Sequence, residues 1–404
     1  MSEVFLALIE TLDMGAPLAR TRAMKAWQSQ VILFYASQTA AATTEVPQNS
    51  MAGNVLTMKL KAPVGVVGGI IPWNAPLMSQ WWILGPTLAT GCAAVLKPAE
   101  DASMTSLRVA ELLQEAGVPD GVINVVTGYG LEAGQALAEH HGVDRLAFTG
   151  SVGTARRIVA ASAGNVKRLS LELGGKSPDI VFADANLERA VPGAAMACYA
   201  NSGQICAAGT RLFVQRGVQE EFVERLEAFS RGLRLGNGLD PKVDLGPVIS
   251  QRQLDRVMHY VEVGAGEGAR LAVGGRRLGG DLADGFFVEP TVFADATNEM
   301  TIAREEIFGP VVTVIPFDTV EEALRLANDT DFGLAGGVWT RNLSTAHRMA
   351  QGIKAGTIWV NGYGGLDPNV GFGGYKMSGY GWKGAKEHVD SFLYQKAVYM
   401  NLDD

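Results

Sequence analysis

The chain has 404 residues, 47 % of them apolar and 19 % charged, and a net charge of −8. That length supports two or three domains around a large core, and the acidic balance gives no electrostatic reason to expect nucleic acid or an anionic membrane as a partner. Cys92, Cys198 and Cys206 are too few, and odd in number, for a disulfide framework; they fit a reducing, cytoplasmic compartment, and five scattered histidines show no metal-ligand spacing.

Residues 3–13 carry apolar side chains at helical spacing and stop at Gly15, a C-cap residue. Acidic Glu3, with no basic start before an apolar run, predicts no secretory leader, and no uninterrupted apolar run reaches membrane-spanning length. Pro17 opens a second helix that runs through Trp27, Val31 and Phe34 to about Ala42. Over residues 44–62 the period changes to two, with the turn signal Ala52-Gly53-Asn54, which predicts a hairpin.

From Val64 onward, strand and helix alternate. Strands are predicted at 64–71, 93–96, 122–126 and 145–148, with helices at 76–90, 103–116, 131–140 and 151–162. Buried strands joined by helices of this length form a parallel α/β sheet. A second α/β region follows Gly174, with strands at 179–182, 211–214, 291–293, 311–316, 337–339 and 357–360. Ligands of such sheets bind beyond the carboxyl ends of the strands. That draws attention to Pro72-Trp73-Asn74, Lys97-Pro98-Ala99-Glu100, Gly128-Tyr129-Gly130 and Thr149-Gly150-Ser151.

Each chemical signal admits two readings when taken alone. Cys206 lies among small residues, so it is either a packed thiol or an approachable nucleophile. Ser151 is either an ordinary N-cap or part of a phosphate-binding helix start; the loop is not G-x-G-x-x-G. Lys97 and Glu100 are either a solvated turn or partners for the two hydroxyls of a ribose. Glu172, between leucines, is either a strand-end carboxylate facing water or a general base raised by burial. Asn74 is either a turn residue or a donor to a developing oxyanion.

Seven ordered motifs resolve these alternatives together. They are PWNAP (72–76), KPAE (97–100), FTGS (148–151), LELGGKSP (171–178), GQIC (203–206), EEIFGPV (305–311) and FGGYKMSG (372–379). In this order the chain resembles the aldehyde dehydrogenase superfamily over nearly its whole length. The resemblance implies a Rossmann-type cofactor domain (1–43 and 63–173), an α/β catalytic domain (174–375) and a small β oligomerisation element (44–62 and 391–404). It implies NAD-dependent oxidation of a small-molecule aldehyde to a carboxylic acid by a homodimer or homotetramer. Cys206 would be the thiol that forms a thiohemiacetal and then a thioester. Asn74 and the Cys206 backbone N–H would hold the oxyanion, and Glu172 would activate the hydrolytic water. Lys97 and Glu100 match the family's adenosine-ribose contacts, Gly130, Gly134 and Ser151 its pyrophosphate region, and Glu306 and Phe308 its nicotinamide-ribose contacts. Ile71, Pro72, Trp73, Phe148, Gly150 and Leu173 complete the implied cofactor set.

The chain departs from the family in three places. Compared with typical members, chain length and motif positions lead us to expect that roughly a hundred residues are absent before Glu3, which predicts uncovered apolar surface. The substrate funnel holds Ala75, Ala200 and Leu366 where many relatives carry aromatics, although Trp82 remains; this predicts a bulky, aromatic or alicyclic aldehyde. Ile83 and Lys383 stand where relatives often carry a lysine and a glutamate that relay a proton. Three rivals stand beside this reading. An acylating dehydrogenase passes the thioester to coenzyme A, but has no use for Glu172. An NADP enzyme would have Glu100 repelling the 2′-phosphate. A catalytically silent homologue would serve as a binding or structural partner.

Overall fold

The computed structural model describes residues 2–39 and 43–403; they build two α/β units that meet edge to edge, with a two-stranded ribbon alongside. Helix α1 (Ser2–Met14) stops where Gly15 takes φ +77°, a left-handed turn that needs no Cβ. Helix α2 (Leu18–Gln38) follows Pro17, whose fixed φ suits a helix entry; the expected end at Ala42 lies outside the described residues.

The first unit runs β1 (Val55–Pro63), β2 (Val66–Ile70), α3 (Pro76–Thr90), β3 (Ala93–Lys97), α4 (Met104–Glu115), β4 (Ile123–Val125), α5 (Gln135–Glu139), β5 (Arg145–Thr149), α6 (Val152–Ala161) and β6 (Arg168–Glu172). Strands β2 to β6 pair in parallel in the order β6-β5-β2-β3-β4. The order reverses between β2 and β5. Their connections therefore leave on opposite faces, and a crevice opens beyond their carboxyl ends.

The second unit runs β7 (Pro178–Val181), α7 (Leu187–Tyr199), β8 (Arg211–Gln215), α8 (Gln219–Gly232), α9 (Gln251–Gly266), β9 (Arg270–Val273), β10 (Thr291–Ala294), α10 (Thr301–Arg304), β11 (Val311–Phe317), α11 (Val320–Asn328), β12 (Phe332–Gly333), β13 (Ala335–Trp339), α12 (Leu343–Gly352) and β14 (Thr357–Val360). Its sheet order is β14-β13-β7-β8-β11-β10-β9, parallel except for β9. Both faces are covered, as alternation along the strands requires. Ile180 and Phe213 enter one core, and Val181, Leu212 and Val214 enter the other.

The tail then returns to the first unit. Strand β15 (Tyr375–Lys376) pairs with β12, and β16 (Gly379–Tyr380) joins the edge of β6 with Gly379 opposite Glu172. Helix α13 (Ala385–Asp390) packs on α3. Strand β17 (Leu393–Asn401) pairs antiparallel with β1, from Val55 opposite Asn401 to Pro63 opposite Leu393.

That pairing corrects the expected hairpin. The ladder partner of β1 is the C-terminal tail, and residues 44–54 contribute a single bridge, Glu45 to Lys59. Pro47 has no N–H to donate, and the Asn49 side chain donates to the Val55 carbonyl at 2.7 Å, so this segment is held by side-chain bonds and forms no ladder. No helix among the described residues is long and apolar enough to cross a membrane.

Candidate active site

Two cavities meet where the carboxyl edge of the first sheet faces the amino edge of the second. One, of about 580 Å³, runs over the ends of β2, β3, β5 and β6. The other, of about 670 Å³, opens on the far side between α3, α7 and the loop after β14. Pro72, Asn74, Thr149, Glu172 and Cys206 line both.

Cys206 reaches this junction through a strained loop. After α7 the backbone is left-handed at Asn201 (φ 55°), Ser202 (φ 55°) and Gly203 (φ +76°). Such backbone at non-glycine residues persists only where surrounding bonds over-determine it. The Ser202 hydroxyl donates to the Gly246 carbonyl at 2.7 Å, the Asn201 amide to the Asn74 carbonyl at 3.0 Å, and the Gln204 amide to the Asn201 carbonyl at 3.0 Å. Gly175 lets the loop approach, since a Cβ there would lie 2.5 Å from the Cys206 carbonyl oxygen. Cys92 and Cys198 are buried, whereas Cys206 is only half-buried and borders both cavities. Burial pushes its thiol up to about 12, with the Glu306 and Glu172 carboxylates adding to the rise and Lys383 opposing it. A thiol raised in this way needs a base before it can act as a nucleophile.

Glu172 ends β6, buried, with neither carboxylate oxygen hydrogen-bonded. Burial pushes it up to about 8, against the pull of Lys383. The Asn74 amide donates to the Gln204 carbonyl at 2.8 Å, and its NH₂ carries a second donor.

The first cavity gathers most of the residues expected for a cofactor. Ile71, Pro72, Trp73, Lys97, Glu100, Phe148, Gly150, Ser151, Leu173, Glu306 and Phe308 all line it. The Lys97 ammonium and the Glu100 carboxylate pair at 3.0 Å, with Lys97 buried and Glu100 part-exposed. Ser151 caps α6, accepting from the Thr154 N–H at 3.3 Å, so the positive end of that helix faces the crevice. Glu306 accepts from the Gly175 N–H at 3.1 Å, and burial pushes it up to about 7. Gly174 makes room for it, because a Cβ there would lie 2.2 Å from its carboxylate. Phe308, at φ 62°, sets its ring edge-to-face with Trp73 at 5.3 Å.

Gly130 and Gly134 are not among the residues that line this cavity. They follow β4; Gly130 is exposed, and Gly134 is buried beside Ile70, which does line it. Ile83 is also absent from both cavities and packs in the core with Val67, Ile71 and Leu96.

Two residues of α9 carry work that no sequence motif announced. Gln253 donates to the Phe308 carbonyl at 2.8 Å and Arg256 to the Ile307 carbonyl at 3.2 Å, which holds the turn bearing Glu306 and Phe308. Nothing in the sequence sets these two apart from the other polar residues of that helix. Ala75, Trp82, Ala200 and Leu366 line the second cavity, together with Met196, Trp359 and Phe372.

A dinucleotide-type crevice that meets a second cavity at a single thiol is the layout of an oxidoreductase. Residues 3–398 match the aldehyde dehydrogenase family, and the chain belongs to it. It is 43 % identical over 395 residues to aldehyde dehydrogenase 1 of Tanacetum cinerariifolium, covering 97 % of this chain and 78 % of that one. It is 44 % identical over 400 residues to betaine aldehyde dehydrogenase of Cereibacter sphaeroides, covering 98 % and 81 %. Among solved structures, betaine aldehyde dehydrogenase of Staphylococcus aureus in complex with NAD+ superposes with a TM-score of 0.97 at 40 % identity, covering 99 % of this chain and 79 % of that one.

Proposed function

We propose that this aldehyde dehydrogenase uses NAD to oxidise a bulky aldehyde to its carboxylic acid through Cys206. The observation that carries the proposal is the junction of two cavities at Cys206, Glu172 and Asn74.

A nicotinamide dinucleotide fits the donor set of the first cavity. Lys97 and Glu100 would take the adenosine-ribose hydroxyls, with Glu100 disfavouring a 2′-phosphate. The start of α6 at Ser151 would face the pyrophosphate, and Glu306 and Phe308 would hold the nicotinamide ribose. When bound, the nicotinamide supplies an acceptor for hydride.

The remaining chemistry belongs to the chain. Glu172 accepts the Cys206 proton, directly or through water. The thiolate sulfur bonds to the aldehyde carbon, and the carbonyl oxygen becomes an oxyanion held by Asn74 and the Cys206 N–H. Loss of hydride from that carbon restores the carbonyl as a thioester. Glu172 then passes the thiol proton to solvent and takes one from water; the hydroxide attacks the thioester carbon, the C–S bond breaks to give the carboxylic acid and the Cys206 thiolate, Glu172 returns its proton to that sulfur, and the acid ionises. In sum, aldehyde, NAD+ and water give carboxylate, NADH and two protons.

Ala75, Ala200 and Leu366 in the second cavity, each less bulky than an aromatic side chain, support a wide substrate. We assign residues 1–43 and 63–173 to cofactor binding, 174–375 to catalysis, and 44–62 with 391–404 to assembly as a homodimer or homotetramer. The test is NADH formation with acetaldehyde, betaine aldehyde and a ring-bearing aldehyde, by the wild type and by Cys206→Ala. Turnover is expected to favour the ring-bearing aldehyde and to vanish in the variant. Activity that survives Cys206→Ala overturns the mechanism, and a clear preference for acetaldehyde overturns the substrate class.

A further inference from the structure

We propose that Lys383 is a positioning residue of this site: a resident cation, seated by Thr149, that Cys206 and Glu172 share. The inference builds on the proposed roles of those two residues.

Sheet register brings the three groups together. Thr149 and Glu172 are direct partners across β5 and β6, and Gly379 of β16 lies opposite Glu172 from the other side. Four residues on, the backbone of Lys383 is pinned to Phe372 by bonds in both directions, at 2.7 and 2.8 Å. The side chain is buried and lines the same cavity as Cys206 and Glu172, and its ammonium donates to the Thr149 hydroxyl at 2.6 Å.

Among the described residues that hydroxyl is its one hydrogen-bond partner. An ammonium has three donors, so two remain, and a neutral hydroxyl offsets little of what it loses on leaving water. Burial works against the charged form of Lys383, while Glu172 and Cys206 favour it. The Glu172 carboxylate has both oxygens free. The lysine is thus held beside the two groups that must ionise during the reaction, without being tied to either by a direct bond.

The other charged neighbours do not supply this cation. Glu306 acts on Cys206 with the opposite sign. Arg145 donates to the Ser391 carbonyl and stacks on Phe392. His388, bonded to the Tyr35 hydroxyl at 2.7 Å, is held well below the usual imidazole range by burial, with Arg145 and Lys383 adding, and so stays neutral.

The test reads the thiolate without any aldehyde. Iodoacetamide alkylation of Cys206 in the full chain is followed by peptide mass spectrometry from about pH 6 to about pH 10. Lys383→Met should slow alkylation about tenfold near neutrality, a shift of about one pH unit in the profile, and Lys383→Arg should restore it. Coincident profiles for the folded wild type and Lys383→Met overturn the proposal. If Lys383→Met fails to fold, Thr149→Val against Thr149→Ser decides instead. Slower alkylation in the valine variant alone supports the seated cation, and equal rates overturn it. Because alkylation needs neither aldehyde nor NAD, failure of the dehydrogenase reading would leave this outcome separately decided.

Discussion

Glu172 sits at a strand end among apolar neighbours with no bond to either oxygen, and from that follow both a catalytic and a stability consequence. Its pKa rises from an ordinary 4.5 to about 8 on folding. A carboxyl raised in this way favours the folded state only while protonated. That stabilising share is complete below about pH 4.5 and is lost as the pH climbs through about 8. Glu172→Gln keeps the shape of the protonated form at every pH. Its melting temperature should therefore pull ahead of the wild type between those two pH values, by about 2 °C or more at the upper end. Its turnover should fall by about 10²-fold or more, because the water loses its base. Thermal melts across pH check the first; a constant gap would mean that Glu172 is not raised. The sequence placed Glu172 between leucines, which suggested burial, but the lack of any hydrogen-bond partner is a property of the packed junction.

At the scale of single elements, Arg211 is the clearest case of a residue whose work is hidden in the sequence. It opens β8 between Thr210 and Leu212 and is fully buried. Its guanidinium donates to the Lys176 carbonyl at 2.9 Å, to Asn298 at 3.0 Å, and to the Leu326 and Ala327 carbonyls at 3.0 and 2.8 Å. It therefore ties the connection between the two sheets to the last turn of α11, where a cation also meets the negative end of the helix dipole. Arg211→Met should destabilise by about 3–5 kcal/mol, measured by urea unfolding, because the carbonyls and Asn298 are left buried without a donor. Arg211→Lys should recover only part, since an ammonium cannot reproduce the planar fork. A loss under about 1 kcal/mol for Arg211→Met would show that water takes over these acceptors. Nothing in the local pattern distinguishes such an arginine from one that begins an exposed strand. By contrast, α3 and its Pro76 start, the Gly15 and Gly117 stops, and most inner strands were legible, because apolar period and cap chemistry are local.

Across the whole molecule, the β1–β17 ribbon closes the chain on itself and leaves Tyr394, Tyr399 and Met400 exposed. Unpaired strand edges with exposed apolar side chains are surfaces for another copy. The full chain is expected to sediment as a dimer or tetramer, and a chain shortened by residues 393–404 as a monomer, in sedimentation velocity at equal concentration. An unchanged oligomeric state in the shortened chain would move the assembly surface elsewhere. Residues 379–390 add a second long-range closure. They carry β16 and α13 back from the second unit onto the first, so that Lys383 and Glu172, more than two hundred positions apart, face one cavity.

The sequence by itself determined the family and the alternation of strand and helix, and it singled out Cys206, Glu172, Asn74 and most of the residues that line the two cavities. Those rest on ordered motifs and on short-range period, both of which are written in neighbouring residues. Only the tertiary structure decided that β1 pairs with the tail and forms no hairpin. It alone showed that α9 holds the Phe308 turn, and that the buried Lys383 lines the cavity shared by the thiol and the carboxylate. Strand partners, crevice walls and the charge around a buried group depend on which distant segments the sheet order brings together, and no local pattern encodes that order.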